Sequence, residues 1–352
     1  MQGSIRRLLN WRIAAAVSFL ILLFIAFFFI TATENRQRAG KNGGSLNEFN
    51  EDLARWKNEI NRLGGVRAYE LFKREAERIP SPSQRHGLAH IFGLALYKTE
   101  GLPGIEVCDN SFVYGCYHSF LSEAIKENGI GVVKELSDVC VAKFGEDDYV
   151  CRHGLGHGIV GHAGYSKKDI LDALKVCSGI AGESGLSGCA SGVFMEYNMR
   201  TMVDPSGTGR YVREYEGDPF YPCNAVAEEF LPSCYKEQPN WWKHVFDWDY
   251  KKIGELCFMA PSSELTGVCV QSLGSSSVIN YNYDAERVSE VCSYMPNEKT
   301  SVSCIFSAAA TYVGRDISEN GLVSSLCRNF SGDRAVLCKN AVHEGFQTNK
   351  TK

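Results

Sequence analysis

Two kinds of segment alternate along most of this chain, and both have features typical of α-helices. The first kind spaces its apolar residues three or four positions apart, as in Asp284–Cys292 (DAERVSEVC) and Lys168–Cys177 (KDILDALKVC). The second kind is rich in small and apolar residues, as in Cys304–Val313 (CIFSAAATYV). Short loops with Gly, Ser, Pro or Asp separate them, and long alternating β-branched runs are missing. The pattern predicts an all-α chain built from helical hairpins, each with an A helix, a loop and a B helix.

Cysteine positions follow the same alternation, because the first cysteine of each pair ends an A segment and the second opens a B segment. Between 7 and 11 residues intervene within a pair, and the first cysteines recur at steps of 32, 37, 46, 34, 35 and 35. A period near 35 predicts stacked repeats, arranged as a right-winding solenoid or a compact helical array. The pairs are Cys108/Cys116, Cys140/Cys151, Cys177/Cys189, Cys223/Cys234, Cys257/Cys269, Cys292/Cys304 and Cys327/Cys338.

Bridging each first cysteine to its own second cysteine is the economical interpretation of this spacing. Such a bridge would staple the end of helix A to the start of helix B, and each closure would contribute roughly 2–3 kcal/mol. Bridges between neighbouring repeats are the alternative, because connectivity does not follow from sequence alone.

The repeat pattern continues upstream of the first cysteine. Leu46–Arg62 and Val66–Arg78 have helical patterns, and Pro80 and Pro82 end the second of them. Gln84–Tyr97 then has the composition of a B helix without its cysteine. The predicted helical-repeat domain therefore spans residues 45–352.

In period and cysteine placement, residues 84–350 resemble Sel1-like repeats of the Helicobacter cysteine-rich type. Those repeats are stacked helical hairpins that each carry one cysteine pair within the hairpin. The resemblance implies an extracytoplasmic binding solenoid without catalytic activity.

The N-terminus carries an export signal. Ile13–Thr33 is an uncharged run of 21 residues rich in Phe, Leu and Ile, long enough to cross the roughly 30 Å apolar core of a bilayer. We expect an uncleaved signal anchor at 13–33 that attaches the protein to the membrane as a single span. A cleaved leader and a soluble secreted protein are the alternative.

Orientation is decided by the cysteines, because basic residues flank the apolar run almost equally. All 14 cysteines lie at or after Cys108, and an even, cysteine-rich chain behind an export segment is typical of a disulfide-bonded, extracytoplasmic domain. We therefore expect residues 1–12 in the cytoplasm, a flexible linker at 34–44, and the repeat domain in the periplasm or outside the cell.

Charge narrows the choice of partners. The whole chain has a formal net charge of −4, and the first 33 residues carry three Arg and no acidic residue, which leaves the rest near −7. Such an acidic domain is not expected to bind nucleic acid, because phosphate contacts need clustered Lys and Arg.

Histidines recur at two slots of the early B helices. Counted from the helix's cysteine, or from the equivalent position of the cysteine-free unit, these slots are two and six residues on. Residues four apart project from one helix face, and equivalent slots of stacked helices lie about 8–10 Å apart between axes. In the cysteine-free unit these slots hold His86 and His90. One slot of the Cys116 helix holds His118, and both slots of the Cys151 helix hold histidine, at His153 and His157.

This ladder predicts a metal site centred on His118. Two His from one helix and a His or Glu from the next form a normal ligand set, and His and carboxylate ligands suit Zn²⁺ first, then Fe, Mn or Cu. Either one ion on a neighbouring pair of helices or two ions flanking His118 fit the ladder. Glu123 and Glu196, seven residues on in their helices, are candidate ligands or general bases of a metalloenzyme. The alternative is that the histidines are packing residues.

Glycines surround the ladder at positions where a helix tolerates them poorly, at about 1 kcal/mol each against Ala. We expect that a neighbouring helix, an ion or a cofactor approaches the backbone there. The glycines are Gly87, Gly154, Gly156, Gly158 and Gly161.

A second functional hypothesis rests on the aromatic insertion at 201–250. The longest step between repeats contains Thr201–Pro222, and three of the five Trp follow it at Trp241, Trp242 and Trp248. Insertions in repeat arrays are often the binding face, so the protein would be a non-catalytic scaffold that holds a protein, peptide or glycan. A packed cap over a distorted hairpin is the alternative.

Overall fold

The computed structural model describes residues 46–146, 149–180, 188–201, 211–313 and 318–348. The expected membrane span at 13–33 and the linker at 34–44 lie outside these ranges. Every described helix falls short of a bilayer crossing in length or in apolar character.

In the described ranges the chain is all-helical and contains no strand, as the alternation of A and B segments predicted. The helices are α1 Leu46–Leu63, α2 Gly65–Ala76, α3 Pro82–Glu100, α4 Ser111–Asn128, α5 Val133–Phe144, α6 Tyr149–Ala163, α7 Lys167–Ser178, α8 Cys189–Met199, α9 Leu231–Val245, α10 Tyr250–Phe258, α11 Ser263–Asn280, α12 Ala285–Ser293, α13 Glu298–Thr311, α14 Glu319–Leu326 and α15 Asp333–Thr348.

The B helices form one continuous row. Each of α1, α3, α4, α6, α8, α9, α11, α13 and α15 packs on the next, whereas the A helices pack chiefly on the B helices that flank them. A B helix therefore has neighbours on several sides, which explains its small and apolar composition. Phe92, Leu121, Leu155, Val193 and Leu273 are fully buried in this row.

Local sequence signals start the regular A helices. The Ser166 side chain accepts a hydrogen bond from the Asp169 backbone N–H, and the Asp169 carboxylate accepts one from the Ser166 backbone N–H. These two reciprocal bonds form a capping box at the N-terminus of α7. The side chains of Asp249 and Asp284 cap α10 and α12 in the same position. These caps fix where each A helix begins after its loop.

Two repeats depart from the predicted A helix. In the Cys108 repeat this segment is a short 3₁₀ helix, Leu102–Val107, and in the Cys223 repeat the described residues 211–222 before the cysteine form no helix, while short 3₁₀ helices follow at Cys223–Ala225 and Glu228–Phe230. The expectation that every first cysteine ends an amphipathic helix is therefore wrong at these two places.

All seven bridges join the two cysteines of one hairpin, which confirms the economical pairing. Their Cα–Cα distances lie between 5.5 and 5.8 Å, the usual range for a disulfide. Each bridge ties a B helix to the segment before it and so repeats one hairpin geometry along the chain.

Glycines bring successive B helices unusually close. A Cβ atom on Gly93 of α3 would lie 2.0 Å from the Cys116 carbonyl oxygen of α4, and one on Gly274 of α11 would lie 2.2 Å from the Cys304 carbonyl oxygen of α13. Any side chain at these positions would force the helices apart. The close approach brings the same faces of neighbouring B helices within reach of one another.

Candidate metal centre

Three histidines from two adjacent B helices meet at one point. On α3, the Nε2 atoms of His86 and His90 are 2.9 Å apart. The ring of His118 on α4 lies 5.4 Å from each of the other two rings, measured between centroids. The nitrogens that these side chains offer all lie within 4.8 Å of one another, so the group can hold a metal ion.

Backbone carbonyls set which nitrogen His86 and His118 offer. The Phe112 carbonyl oxygen lies 2.7 Å from His86 Nδ1, and because a carbonyl only accepts, Nδ1 carries the proton and Nε2 keeps its lone pair. His118 hydrogen-bonds the backbone of Val150, and its Nε2 has no partner among the described residues. Nδ1 of His118 therefore makes that bond, and its Nε2 is left as a buried lone pair.

The spacing is close to that of a coordinated ion. Nitrogens bound tetrahedrally at about 2.0–2.1 Å from Zn²⁺ lie about 3.3 Å apart. The His86 and His90 nitrogens already satisfy this within a few tenths of an ångström, and the His118 nitrogen needs a shift of about 1.5 Å or less. Carbonyls on the far side of His86 and His118 are the usual second partners of metal-binding imidazoles.

Burial keeps the three rings neutral. It lowers the pKa of His86, and it lowers the pKa of His90 and of His118 well below the ordinary 6.5, with the neighbouring imidazoles adding to the effect. Neutral imidazole is the form that coordinates a metal ion. The site is thus held in its binding form at neutral pH.

A left-handed turn positions the Phe112 carbonyl. Phe112, Val113 and Tyr114 have φ values of 53°, 55° and 58° at the start of α4. Such angles are unfavourable for a β-branched residue like Val113. They lie within the Cys108–Cys116 loop, which has the shortest separation of the seven bridges, at 8 residues. The turn lies within this short loop and aims the Phe112 carbonyl at His86.

His153 and His157 continue the row on α6 but lie outside the three-histidine group. The His153 ring is 5.4 Å from the His118 ring and 4.8 Å from the His157 ring. Because Nδ1 of His118 is bonded to Val150, only one of its nitrogens is free, so His118 does not bridge two ions. Of the two arrangements that the ladder allowed, this geometry favours one ion on α3 and α4.

Glu196 is buried beside His157 and away from the three histidines. Its carboxylate lies 3.0 Å from His157 Nδ1 and accepts hydrogen bonds from the hydroxyls of Tyr165 (2.9 Å) and Thr201 (2.7 Å). The carboxylate therefore orients the His157 ring.

Glu123 is also engaged elsewhere. Its carboxylate pairs with Lys98 at 2.7 Å and with Lys126 at 3.6 Å on the surface of α3 and α4. Neither of the two predicted carboxylates is part of the three-histidine group.

Neighbouring helices explain three of the five glycines around the ladder. Cβ atoms on Gly154, Gly156 and Gly158 would meet backbone atoms of an adjacent B helix at 3.1 Å or less. Gly87 and Gly161 have open space within 4 Å. The glycines thus serve helix packing first, and the packing brings the imidazoles together.

The aromatic insertion forms internal contacts. Trp241 and Trp242 are fully buried, and their indole N–H groups donate to the carbonyls of Arg213 and Pro219, each at 2.7 Å. Trp248 alone is substantially exposed, at 41%. This placement favours the packed-cap interpretation of the described part of 201–250.

The ladder identified the three imidazoles, but nothing in the sequence indicated the two carbonyls that orient His86 and His118. The shortest cysteine spacing was the signal for an unusual turn near Phe112. No such signal marked Val150, since a backbone acceptor has no residue type.

Comparisons with known proteins matched no family, no curated protein and no solved structure.

Proposed function

We propose that the protein is an extracytoplasmic metal-binding helical-repeat protein whose ion is held by His86, His90 and His118. The observation that carries this proposal is the buried Nε2 of His118, which lacks a partner among the described residues. Leaving a buried polar atom unpaired costs about 1–3 kcal/mol, and a cation would remove that cost.

Zn²⁺ is the first expectation for the ion. Three neutral imidazoles suit Zn²⁺, and all 14 cysteines are in bridges, which leaves no thiolate to select a softer ion. His118 is buried whereas His86 and His90 are partly exposed, so the ion would have a fourth position toward solvent. An open fourth position is typical of catalytic rather than structural zinc.

A metalloenzyme is the finer form of this proposal. The ion would lower the pKa of a bound water, and the buried His153 and His157 pair would continue the row of imidazoles beside it. Glu196 would contribute by orienting His157, and Glu123 would have no part in the reaction.

A membrane-anchored location completes the proposal. Seven disulfides suit an oxidising compartment. The uncharged run at 13–33 would hold the protein to the membrane with its repeat domain in the periplasm or outside the cell.

Elemental analysis of the purified full chain in detergent tests the metal site. We expect one equivalent of Zn²⁺ in the wild type and at least a 100-fold weaker affinity, about 2.7 kcal/mol, in His118→Ala. His244→Ala is the matched control, since His244 lies on α9 away from the group, and it should keep its metal. A wild type without metal, or equal metal content in both variants, would return the histidines to a packing role.

Acid should weaken both metal binding and the stability of the metal-free protein. The pKa values of His86, His90, His118 and His153 are lowered by burial, so below pH 6.5 the unfolded chain binds protons that the folded chain does not. The contribution of these histidines to the stability of the folded protein is therefore complete above about pH 6.5, and it decreases as the pH falls below that value. Thermal unfolding from pH 8 to pH 5, with and without Zn²⁺, measures this; a midpoint that rises on acidification would contradict it.

A further inference from the structure

A second polar cluster lies farther along the B-helix row, where a hydrogen-bonded chain crosses three helices. On α8, Ser191 Oγ donates to Glu237 Oε1 of α9 at 2.6 Å, and Asn240 Nδ2 lies 3.3 Å from the other oxygen of that carboxylate. Lys243 Nζ lies 2.8 Å from Asn240 Oδ1 and 3.1 Å from Ser276 Oγ of α11. This series of hydrogen bonds therefore ends at a lysine and a serine in direct contact.

Lys243 is buried without an ion pair among the described residues. Only 3% of it is exposed, and the nearest acidic group on its own helix, Glu237, is held by Ser191, Asn240 and Lys236 instead. Burial lowers the pKa of Lys243 to about 7, far below the ordinary 10.5, and the Glu237 charge offsets this only in part. A substantial fraction of the protein thus carries a neutral amine at this position near pH 7.

The contacts orient that amine toward the serine. Lys243 Nζ donates to Asn240 Oδ1 at 2.8 Å and to Ser276 Oγ at 3.1 Å. In the neutral amine, the lone pair can instead accept the Ser276 hydroxyl proton across the same 3.1 Å. The hydroxyl otherwise has a poorer acceptor, the Leu273 carbonyl at 3.3 Å. Ser276 is half-buried, so this residue, unlike Lys243, is in part open to solvent. A nucleophile within hydrogen-bond reach of a base that a third group orients is the arrangement of serine–lysine hydrolases.

We propose that Ser276 and Lys243 form a nucleophile and general-base pair that hydrolyses carboxylic esters or amides. Ser276 Oγ bonds to the substrate carbonyl carbon while its proton passes to Lys243 Nζ. The bond to the leaving alcohol or amine then breaks, and that group takes the proton from Lys243. Water attacks the acyl-serine with the same base, which releases the carboxylic acid and restores Ser276.

Trp248 indicates which acyl group would fit. Its ring lies 5.8 Å from Lys243 Nζ, and it is 41% exposed beside the buried amine. An exposed indole beside the general base favours an apolar or aromatic acyl group. This pair lies on α9 and α11, far along the row from α3 and α4, so it functions without the proposed metal ion.

A fluorophosphonate probe on the purified full chain tests the pair, because the Ser276 oxygen displaces fluoride from phosphorus as its proton passes to Lys243. Peptide mapping should place the label on Ser276. Labelling should vanish in Ser276→Ala, fall at least tenfold in Lys243→Met, and stay within twofold of wild type in Ser275→Ala, a half-buried serine on the same helix. A native protein that labels no faster than the heat-denatured chain, or a Ser276→Ala variant that labels like wild type, would overturn the proposal.

A second measurement covers the case in which Lys243→Met does not fold. In wild-type protein carrying lysine labelled with ¹³C at Cε, one resonance should titrate with a midpoint near 7, and it should be missing in Lys243→Arg. The neighbouring His244 does not contribute to this lysine signal. Titration of every lysine near the ordinary value would leave Ser276 without a base and would refute the pair.

Discussion

The early and late B helices share one scaffold and differ in chemistry. At both ends of the row, a bridge fixes each hairpin and a glycine meets a neighbouring carbonyl, as Gly93 does at Cys116 and Gly274 at Cys304. The slots that hold imidazoles on α3, α4 and α6 hold other side chains on α11 and α13. Those side chains are Gln271 and Ser275 on α11, and Phe306 and Ala310 on α13.

The comparison shows that stacking does not require histidine. On the late helices Gln271 finds a partner in Ser303 at 3.2 Å, and Ser275 donates to the Ser272 carbonyl at 3.2 Å. On the early helices His118 instead keeps a buried nitrogen without a partner in the described chain. The same two slots are satisfied on the late helices, so the unpaired nitrogen of His118 supports the proposal that the early helices bind an ion.

Removing a disulfide bridge, either at the early end or at the late end of the row, should give the largest loss of stability. Alanine in place of Cys108 and Cys116, or of Cys292 and Cys304, should cost about 2–3 kcal/mol of unfolding free energy by the loop-closure relation. Only the first pair should also weaken Zn²⁺ binding, because its loop holds the Phe112 carbonyl against His86. Denaturant unfolding and calorimetric titration measure the two quantities; equal loss of Zn²⁺ affinity in both variants would contradict the assignment.

Separating the helices should have the next largest effect. Gly93→Ala and Gly274→Ala each place a Cβ against a carbonyl oxygen of the next helix and should cost about 1–3 kcal/mol. Gly93→Ala should lower Zn²⁺ affinity as well, since α3 and α4 supply all three ligands. Gly87→Ala and Gly267→Ala have open space and should be neutral or stabilising by up to about 1 kcal/mol. Unfolding midpoints that do not distinguish the two classes would disprove the close-approach explanation.

Surface charge should matter least. Glu123→Gln removes the pair with Lys98 at the early end, and Glu286→Gln removes the pair with Arg328 at the late end. Each should change stability by less than about 1 kcal/mol, and neither should alter Zn²⁺ binding. A marked loss of metal in Glu123→Gln would instead place that carboxylate at the ion. The same titration and unfolding assays apply.

The sequence predicted the candidate histidines of the site, but it did not predict which three of them come together. Spacing placed His86, His90, His118, His153 and His157 on one face of adjacent helices, because residue period and helix period are properties of the chain. Which three of them converge depended on which ring nitrogens the backbone left free. The free nitrogens are decided by contacts between residues far apart in sequence, such as His86 with Phe112 and His118 with Val150.

The chain by itself determined the helical class and the repeat, and its paired cysteine spacing made bridges within each hairpin the economical choice. These follow from local periodicity and from a cysteine order that recurs at nearly constant steps. Only the tertiary structure decided that the described residues just before Cys108 and Cys223 form no α-helix, that Trp241 and Trp242 are buried, and that Glu123 and Glu196 are engaged away from the three histidines. It also placed Lys243 against Ser276, a contact that no spacing rule contains. Local order is encoded over a few residues, whereas a site is made by side chains from different repeats, and their distances are set only when the B helices pack.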